Sequence, residues 1–375
     1  MNYIILFLSI CISLYTLFSL SIIIGWFNLR KITPNNKKPQ RKIKFSILIP
    51  TRNEALNIVK LLKDIDQQLY NSDDYEIIVI DDSSQDNTYQ LVEKVDLQNI
   101  KLVRSFGKGK KDALKTGLKI AKNEFIIQTD ADCRIGNEWL SSINQYLNLY
   151  SVKLLIAPVI FESKNNLFSY LQELDFYALI MNTAGLAGIK HPVMANGANL
   201  IYRKELLNNI NIWDNKSASG DDIFLLHYIK KNYTSKDIHF LKSRTATVKT
   251  NPNLKLKDFI QQRLRWASKS RYYKDLETIG LGLFIFIFYL SIFILFISGF
   301  FFGKEISLLF LTVFIVKIFI DTFVLFPILS FYRKVFLLIY FPILSILYPF
   351  YISFVALISP FYSIKWKNRV YKIKA

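Results

Sequence analysis

The chain has 375 residues, 51% of them hydrophobic, and a formal net charge of +19 from 48 basic and 29 acidic residues. That length holds one large domain plus extra elements; the apolar residues concentrate in 3–27 and 279–364, which excludes an ordinary soluble protein and predicts an integral membrane protein with a soluble middle. The basic excess then reads as cytoplasmic flanks and contact with anionic headgroups, and no nucleic-acid partner is expected.

Residues 3–27 carry no charge and exceed the ~20 residues that cross a bilayer. The run is longer than the core of a secretory signal and no basic residue precedes it, so an uncleaved anchor over residues 1–28 is expected. A basic linker, 29–44, follows with Arg30, Lys31, Lys37, Lys38, Arg41, Lys42 and Lys44 and no acid, which places the next domain in the cytoplasm. The two cysteines are Cys11, in the anchor, and Cys133. In a reducing compartment no disulfide is expected, and Cys133 reads as a small filler.

In the soluble middle, 45–251, the β-rich run 45–49 stops at Pro50-Thr51-Arg52-Asn53-Glu54. A helical pattern follows, with Leu56, Val59, Leu61, Leu62 and Ile65 apolar. A second buried-strand pattern, 75–80, ends in Asp81-Asp82-Ser83-Ser84-Gln85-Asp86-Asn87-Thr88, where Ser83 or Ser84 would cap a helix holding Leu91, Val92 and Val95. A third short strand, 100–103, leads to Gly107-Lys108-Gly109-Lys110-Lys111, which opens a helix to about residue 122. The run 125–128 ends in Thr129-Asp130-Ala131-Asp132. If the strand persists, alternation puts Asp130 and Asp132 on one side, able to hold one hard cation that keeps other positions for water and substrate phosphates. A solvated Asp pair in a turn is the plain alternative. Strands alternating with helices predict an α/β fold with a mostly parallel sheet and ligands at the carboxyl ends of its strands. There, Asp81-Asp82 could receive a base or ribose or merely cap a helix, and the Gly107 to Lys111 loop could meet a diphosphate or be a flexible basic loop.

Together these pieces resemble the inverting nucleotide-sugar glycosyltransferases of family 2, with the GT-A fold. The matching residues are Ile49-Pro50-Thr51-Arg52-Asn53-Glu54, Val79-Ile80-Asp81-Asp82-Ser83-Ser84, the Lys108-Gly109-Lys110 loop and Thr129-Asp130-Ala131-Asp132. Further on come Asn196-Gly197-Ala198-Asn199, Ser219-Gly220-Asp221-Asp222 and Gln262-Arg263-Leu264-Arg265-Trp266, all in the family's order over 45–266. The resemblance implies that Pro50, Thr51, Glu54 and Asp82 hold the uridine-type end of a nucleoside-diphosphate sugar, with Lys110, Asp130 and Arg265 near the diphosphate. It implies Mg²⁺ or Mn²⁺ as cofactor, with Asp132 the more direct ligand and Asp130 beside it. Asp222 would be the base that deprotonates the acceptor hydroxyl. The family commonly has Glu-Asp where this chain has Asp221-Asp222, which leaves the share of Asp221 open. Repulsion between adjacent carboxylates is expected to raise the pKa of one of them. Asn196, Gly197, Gln262 and Trp266 would face the acceptor, a lipid or glycan. The resemblance covers ceramide glucosyltransferases and processive polysaccharide synthases alike. A membrane nucleotidyltransferase and an inactive nucleotide-binding scaffold are the rivals from outside it. His191, His227 and His239 have no zinc-site spacing.

Residues 252–278 interleave Leu254, Leu256, Phe259, Ile260 and Leu264 with Lys255, Lys257, Arg263, Arg265, Lys269, Arg271 and Lys274, a basic amphipathic helix suited to the headgroup plane. Spacings of three and four put Gln262, Arg265 and Trp266 on one face; interfacial anchoring alone would also explain the arginines and tryptophan. The segment 279–364 is read as membrane-spanning. Its stretch 281–301 has no charge, and 306–331 holds Lys317 and Asp321, which can pair on one helix face. The last stretch, 335–364, contains Pro342, Pro349 and Pro360 and is too short for two crossings. One anchor and three full C-terminal crossings would put the basic tail, 365–375, outside, against the positive-inside tendency; a bent last segment would return it to the cytoplasmic face of the inner membrane.

Overall fold

A computed structural model describes residues 2–32, 41–207, 220–362, 364–367 and 369–371. Helix α1 (Asn2–Asn28) leads into the middle domain. There β1 (Phe45–Thr51), α2 (Ile58–Asp66), β2 (Tyr75–Asp81), α3 (Thr88–Glu93), β3 (Ile100–Arg104), α4 (Lys110–Ile120) and β4 (Phe125–Gln128) alternate as expected. Next come α5 (Trp139–Leu149), β5 (Leu154–Ile156), β6 (Val159–Phe161), α6 (Leu167–Gly188) and β7 (Leu200–Arg203). The domain closes with α7 (Asp221–Asn232), β8 (Ile238–Phe240) and β9 (Val248–Thr250).

The main sheet has the order β3-β2-β1-β4-β7-β5-β8. All its pairings are parallel except those of β7 with β4 and with β5. β2 is buried along its whole length and β1 all but so, which is why both read as unbroken apolar runs: helices cover the two faces of a parallel sheet. Ile58, Leu61, Leu62 and Ile65 supply the buried stripe of α2. β6 and β9 form a separate parallel pair.

Local details depart from the sequence expectations. α2 begins at Ile58, leaving Leu56 83% exposed in the preceding turn. α3 begins only at Thr88, and neither Ser83 nor Ser84 caps it; Asp86 Oδ1 accepts the Thr88 N–H instead, and Ser84 Oγ accepts the Asn53 N–H across to the next loop. β4 ends at Gln128, so Asp130 and Asp132 sit in a turn in which Cys133 N–H donates to Asp130 C=O (3.1 Å). Strand alternation therefore does not orient them.

After the sheet come α8 (Leu256–Ala267), a 3-10 turn over Ser268–Tyr272, α9 (Leu276–Gly299), α10 (Lys304–Tyr332) and α11 (Phe341–Ile358), then a hairpin of β10 (Ile364–Trp366) and β11 (Arg369–Tyr371). The described residues include four helices long and apolar enough to cross a membrane: Tyr3–Asn28, Leu276–Phe301, Lys304–Tyr332 and Val335–Ile358. In α10, Lys317 is 1% exposed and pairs with Asp321 at 2.8 Å, while Asp321 accepts the Tyr15 hydroxyl (2.6 Å), so this ion pair faces α1. The chain enters α11 beside the middle domain and leaves it beside the 3-10 turn that follows α8. On entry Tyr340 stacks on Tyr170 of α6 and Lys334 pairs with Glu173; on exit Arg271 donates to Ser359 C=O.

α1 and α6 meet backbone to backbone. A Cβ on Gly25 would lie 1.8 Å from Gly185 C=O, and one on Gly188 would lie 2.0 Å from Gly25 C=O. Gly25→Leu is expected to pry the two helices apart and destabilise the protein by ~3 kcal/mol. A melting temperature in detergent equal to that of the native chain would refute this close contact.

Candidate active site

The loops after β1, β2 and β4, the start of α4, the segment 194–198, the start of α7 and one face of α8 enclose one cavity of about 510 Å³. Each residue to which the family resemblance gives a site role lines it: Pro50, Thr51, Glu54, Asp82, Lys110, Asp130, Asp132, Asn196, Gly197, Asp221, Asp222, Gln262, Arg265 and Trp266. Ser219, of the same motif as Asp221, lies outside the described residues, as do Lys37 and Lys38 of the linker and Lys372 and Lys374 of the tail.

One end of the cavity is built from two interlocked loops. Arg52 Nη1 donates to the carbonyls of Asp82 (2.6 Å) and Ser83 (2.7 Å), and Asn53 Oδ1 accepts the Gln85 N–H (2.8 Å). Asn53 and Ser83 both hold positive φ (52° and 55°), a costly conformation maintained by these cross-bonds. Gly109, at φ 97° where only glycine is comfortable, brings its N–H to Asp82 Oδ1 (3.0 Å), so the basic loop is packed on the acid rather than loose.

Lys110 Nζ meets Asp130 Oδ1 at 2.6 Å and Asp221 Oδ2 at 3.5 Å. Burial works against the Lys110 charge, yet these carboxylates outweigh it and hold the ammonium above its ordinary pKa. Burial raises the pKa of Asp130, with Lys110 opposing and Asp132 adding; burial also raises that of Asp132, with Glu54 adding and Lys367 opposing. Acids that crowd and burial hold above their usual range are a donor set that a divalent cation would relieve. Among the described residues there is no group of three or more His, Cys, Asp or Glu that could hold a metal. Two carboxylates alone are too few for an all-protein cation cage, so any hard cation here would need further oxygen ligands from outside the chain. Burial, first, and the Asp132 carboxylate push the Cys133 thiol well up, which keeps it an inert filler.

Asp221 and Asp222 open α7 behind Gly220, which takes φ 103°. They differ in surroundings. Asp221 is buried, accepts Gln128 Nε2 at 2.5 Å and, although burial alone would raise its pKa, Lys110 and Lys269 bring it below the usual value. Asp221 therefore does not carry the raised pKa that carboxylate repulsion alone would give it, because fixed cations outweigh that repulsion. Asp222 reaches the cavity, where Oδ2 accepts the Gly197 N–H (3.2 Å) and Oδ1 lies 3.4 Å from Lys269 Nζ. Gly197 is the residue that fits here, since a Cβ would come within 2.7 Å of Asp221 Oδ2 and Gln128 Nε2.

On α8, Gln262, Arg265 and Trp266 share the cavity, and Gln262 Oε1 accepts the Asn253 side chain (3.0 Å). The neighbouring Arg263 is 3% exposed, pairs with Asp175 Oδ2 at 2.5 Å and stacks its guanidinium 4.4 Å over Trp266. Beyond Trp266 the wall turns apolar, with Phe161, Phe176, Leu179, Ile180 and Met194. The three histidines have separate partners: Glu277 for His191, Thr278 for His227 and Tyr146 for His239. The sequence reading missed Lys269 and Lys367, both cavity residues. Lys269 sits in the basic stretch already noted. Lys367 had no local signal, because it arrives from a hairpin 315 positions away from its contact.

Residues 46–210 match the profile described as Glycosyl transferase family 2. The chain is 26% identical over 189 residues to Glycosyltransferase AglE of Haloferax volcanii, covering 50% of this chain and 60% of that one. It is 27% identical over 197 residues to a beta-monoglucosyldiacylglycerol synthase of Nostoc sp., covering 49% and 41%. The chain thus spans less than two thirds of these relatives' lengths. Among solved structures, mannosyltransferase PcManGT of Pyrobaculum calidifontis, in complex with GDP-Man and Mn²⁺, superposes over 90% of this chain and 98% of its own with a TM-score of 0.57. At 17% identity that likeness shows a shared fold.

Proposed function

We propose, for a chain that belongs to glycosyl transferase family 2, transfer of a hexose or N-acetylhexosamine from a nucleoside diphosphate, UDP first among them, to a lipid or lipid-linked acceptor, with inversion. The observation that carries this reading is a single cavity that runs from carboxylates and ammonium groups at the strand ends to an apolar wall beside Trp266. Four helices apolar enough to cross a membrane, and a relative named for a glucosylated diacylglycerol, support a lipid acceptor.

Asp82, Glu54, Pro50 and Thr51 bind the nucleoside, in the loops that Arg52 ties together. Lys110 and Arg265 lie where the diphosphate departs, and their charges favour the negative charge that grows there. A divalent cation held by Asp132 and Asp130 supplies further stabilisation of that leaving group when bound; the Mn²⁺ of the similar mannosyltransferase supports it. Asp222 accepts the proton of the acceptor hydroxyl as its oxygen attacks the anomeric carbon from the face opposite the diphosphate, so one displacement inverts the centre. Asn196, Gly197, Gln262 and Trp266 border the acceptor. The domain works at the cytoplasmic face, with α1, α9 and α10 crossing. α11 is read as re-entrant or interfacial, since the chain enters it against α6 and leaves it against the 3-10 turn after α8.

The test is the full chain in detergent, given a panel of nucleoside-diphosphate sugars, a membrane lipid extract and Mg²⁺ or Mn²⁺. One donor should release its diphosphate and yield a lipid carrying a single added sugar by mass spectrometry; a ladder would mean a polymer synthase, and no release from any donor would sink the reading. Chelating the cation, or Asp132→Asn, is expected to lower turnover by ~10²-fold or more, several kcal/mol of barrier. Full activity in excess chelator would remove the cation from the reaction.

A further inference from the structure

The β10–β11 hairpin places a charge inside the cavity that the rest of the site does not account for. Lys367 Nζ donates to Arg52 C=O (2.5 Å) and to the Glu54 carboxylate, while Arg52 Nε donates back to Lys367 C=O (3.3 Å). The clasp is reciprocal, and through the second arm of Arg52 it reaches the Asp82 loop. Lys367 holds φ 45°, unusual for a residue with a side chain, and β10 packs beside α8, which carries Arg265 and Trp266. A strained backbone at the tip of a hairpin, aimed into a binding cavity, suggests a selected function. Simple pinning of the tail would not require the side chain to enter among ligand-facing carboxylates.

Two ammonium groups of this cavity are arranged alike: Lys110 rests on Asp130, and Lys367 rests on Glu54 near Asp132. A lysine on a flexible stem can exchange a carboxylate partner for a phosphate oxygen by a small side-chain swing. We propose that Lys367 is a donor-binding residue that contacts the phosphates of an incoming nucleoside diphosphate, so that the C-terminal hairpin completes the donor site. This rests on the functional reading above.

The experiment measures binding of UDP, GDP and their nucleosides, with Mn²⁺, to the full chain and to Lys367→Met, Lys367→Arg and a chain ending at residue 362. The expected result is about tenfold weaker binding of the diphosphate by Lys367→Met and by the shortened chain. Nucleoside binding is unchanged, and Lys367→Arg stays near the native value. Native diphosphate affinity in Lys367→Met overturns the proposal; so does tighter binding, which would make the hairpin a plug, and so does an equal loss for nucleoside and diphosphate, which would make it a brace. A native chain that binds neither diphosphate overturns the functional reading itself, and this inference with it.

Discussion

Asp222→Asn is expected to lower turnover by ~10³-fold while leaving nucleoside-diphosphate affinity within a factor of two or so of native. The amide keeps the size of the carboxylate and still accepts the Gly197 N–H, so the geometry at the start of α7 survives. What disappears is the ability to take a proton from the acceptor hydroxyl. The neighbouring Asp221 cannot take over, because it is buried against Gln128 and Lys110 and its pKa lies below the usual carboxylate value. Single-turnover transfer from labelled donor, beside a direct binding measurement, separates the two effects. Retention of a third or more of native turnover would exclude Asp222 as the base. Intact cellular function in this variant would favour a nucleotide-binding scaffold.

The second large effect concerns stability. Arg263→Ala is expected to destabilise the protein by ~3–5 kcal/mol, because it strands the Asp175 carboxylate without a counter-charge in a site 2% exposed. The Tyr348 hydroxyl, 2.9 Å from Asp175 Oδ1, remains as its one strong donor among the described residues. The same change takes the guanidinium away from Trp266 and Phe259 and loosens α8 from α6 and α11. Replacing both partners, Arg263→Met with Asp175→Leu, should recover most of the lost melting temperature, since a buried ion pair contributes little over apolar groups of similar volume. A double variant no better than the single one would show that the pair is not the cause.

Much of the site was legible in the linear chain because it lies where strands end. A buried parallel strand has to be apolar until it reaches the sheet edge, so Pro50-Thr51-Arg52, Asp81-Asp82 and Asp130-Ala131-Asp132 announce themselves as polar groups after apolar runs. The alternation of strand and helix, and four long apolar helices, are written in composition and periodicity alone. Orientation within the loops was not legible. Asp130 and Asp132 face one cavity through a turn rather than through strand alternation, and the first N–H of α3 goes to Asp86 rather than to Ser83 or Ser84. Turn geometry depends on hydrogen bonds to groups far away in sequence, such as Ser84 to Asn53.

By itself, then, the order of residues determined which groups end the strands, which segments are too apolar for water, and which motifs belong together. Only the tertiary structure decided that Asp221 is held ionised by Lys110 and Lys269 while Asp222 opens to the cavity, and that Lys367 of the C-terminal hairpin lies against Glu54. The physical reason is the same for both: a charge is set by what lies within a few ångströms of it, and here those neighbours come from segments tens to hundreds of positions apart.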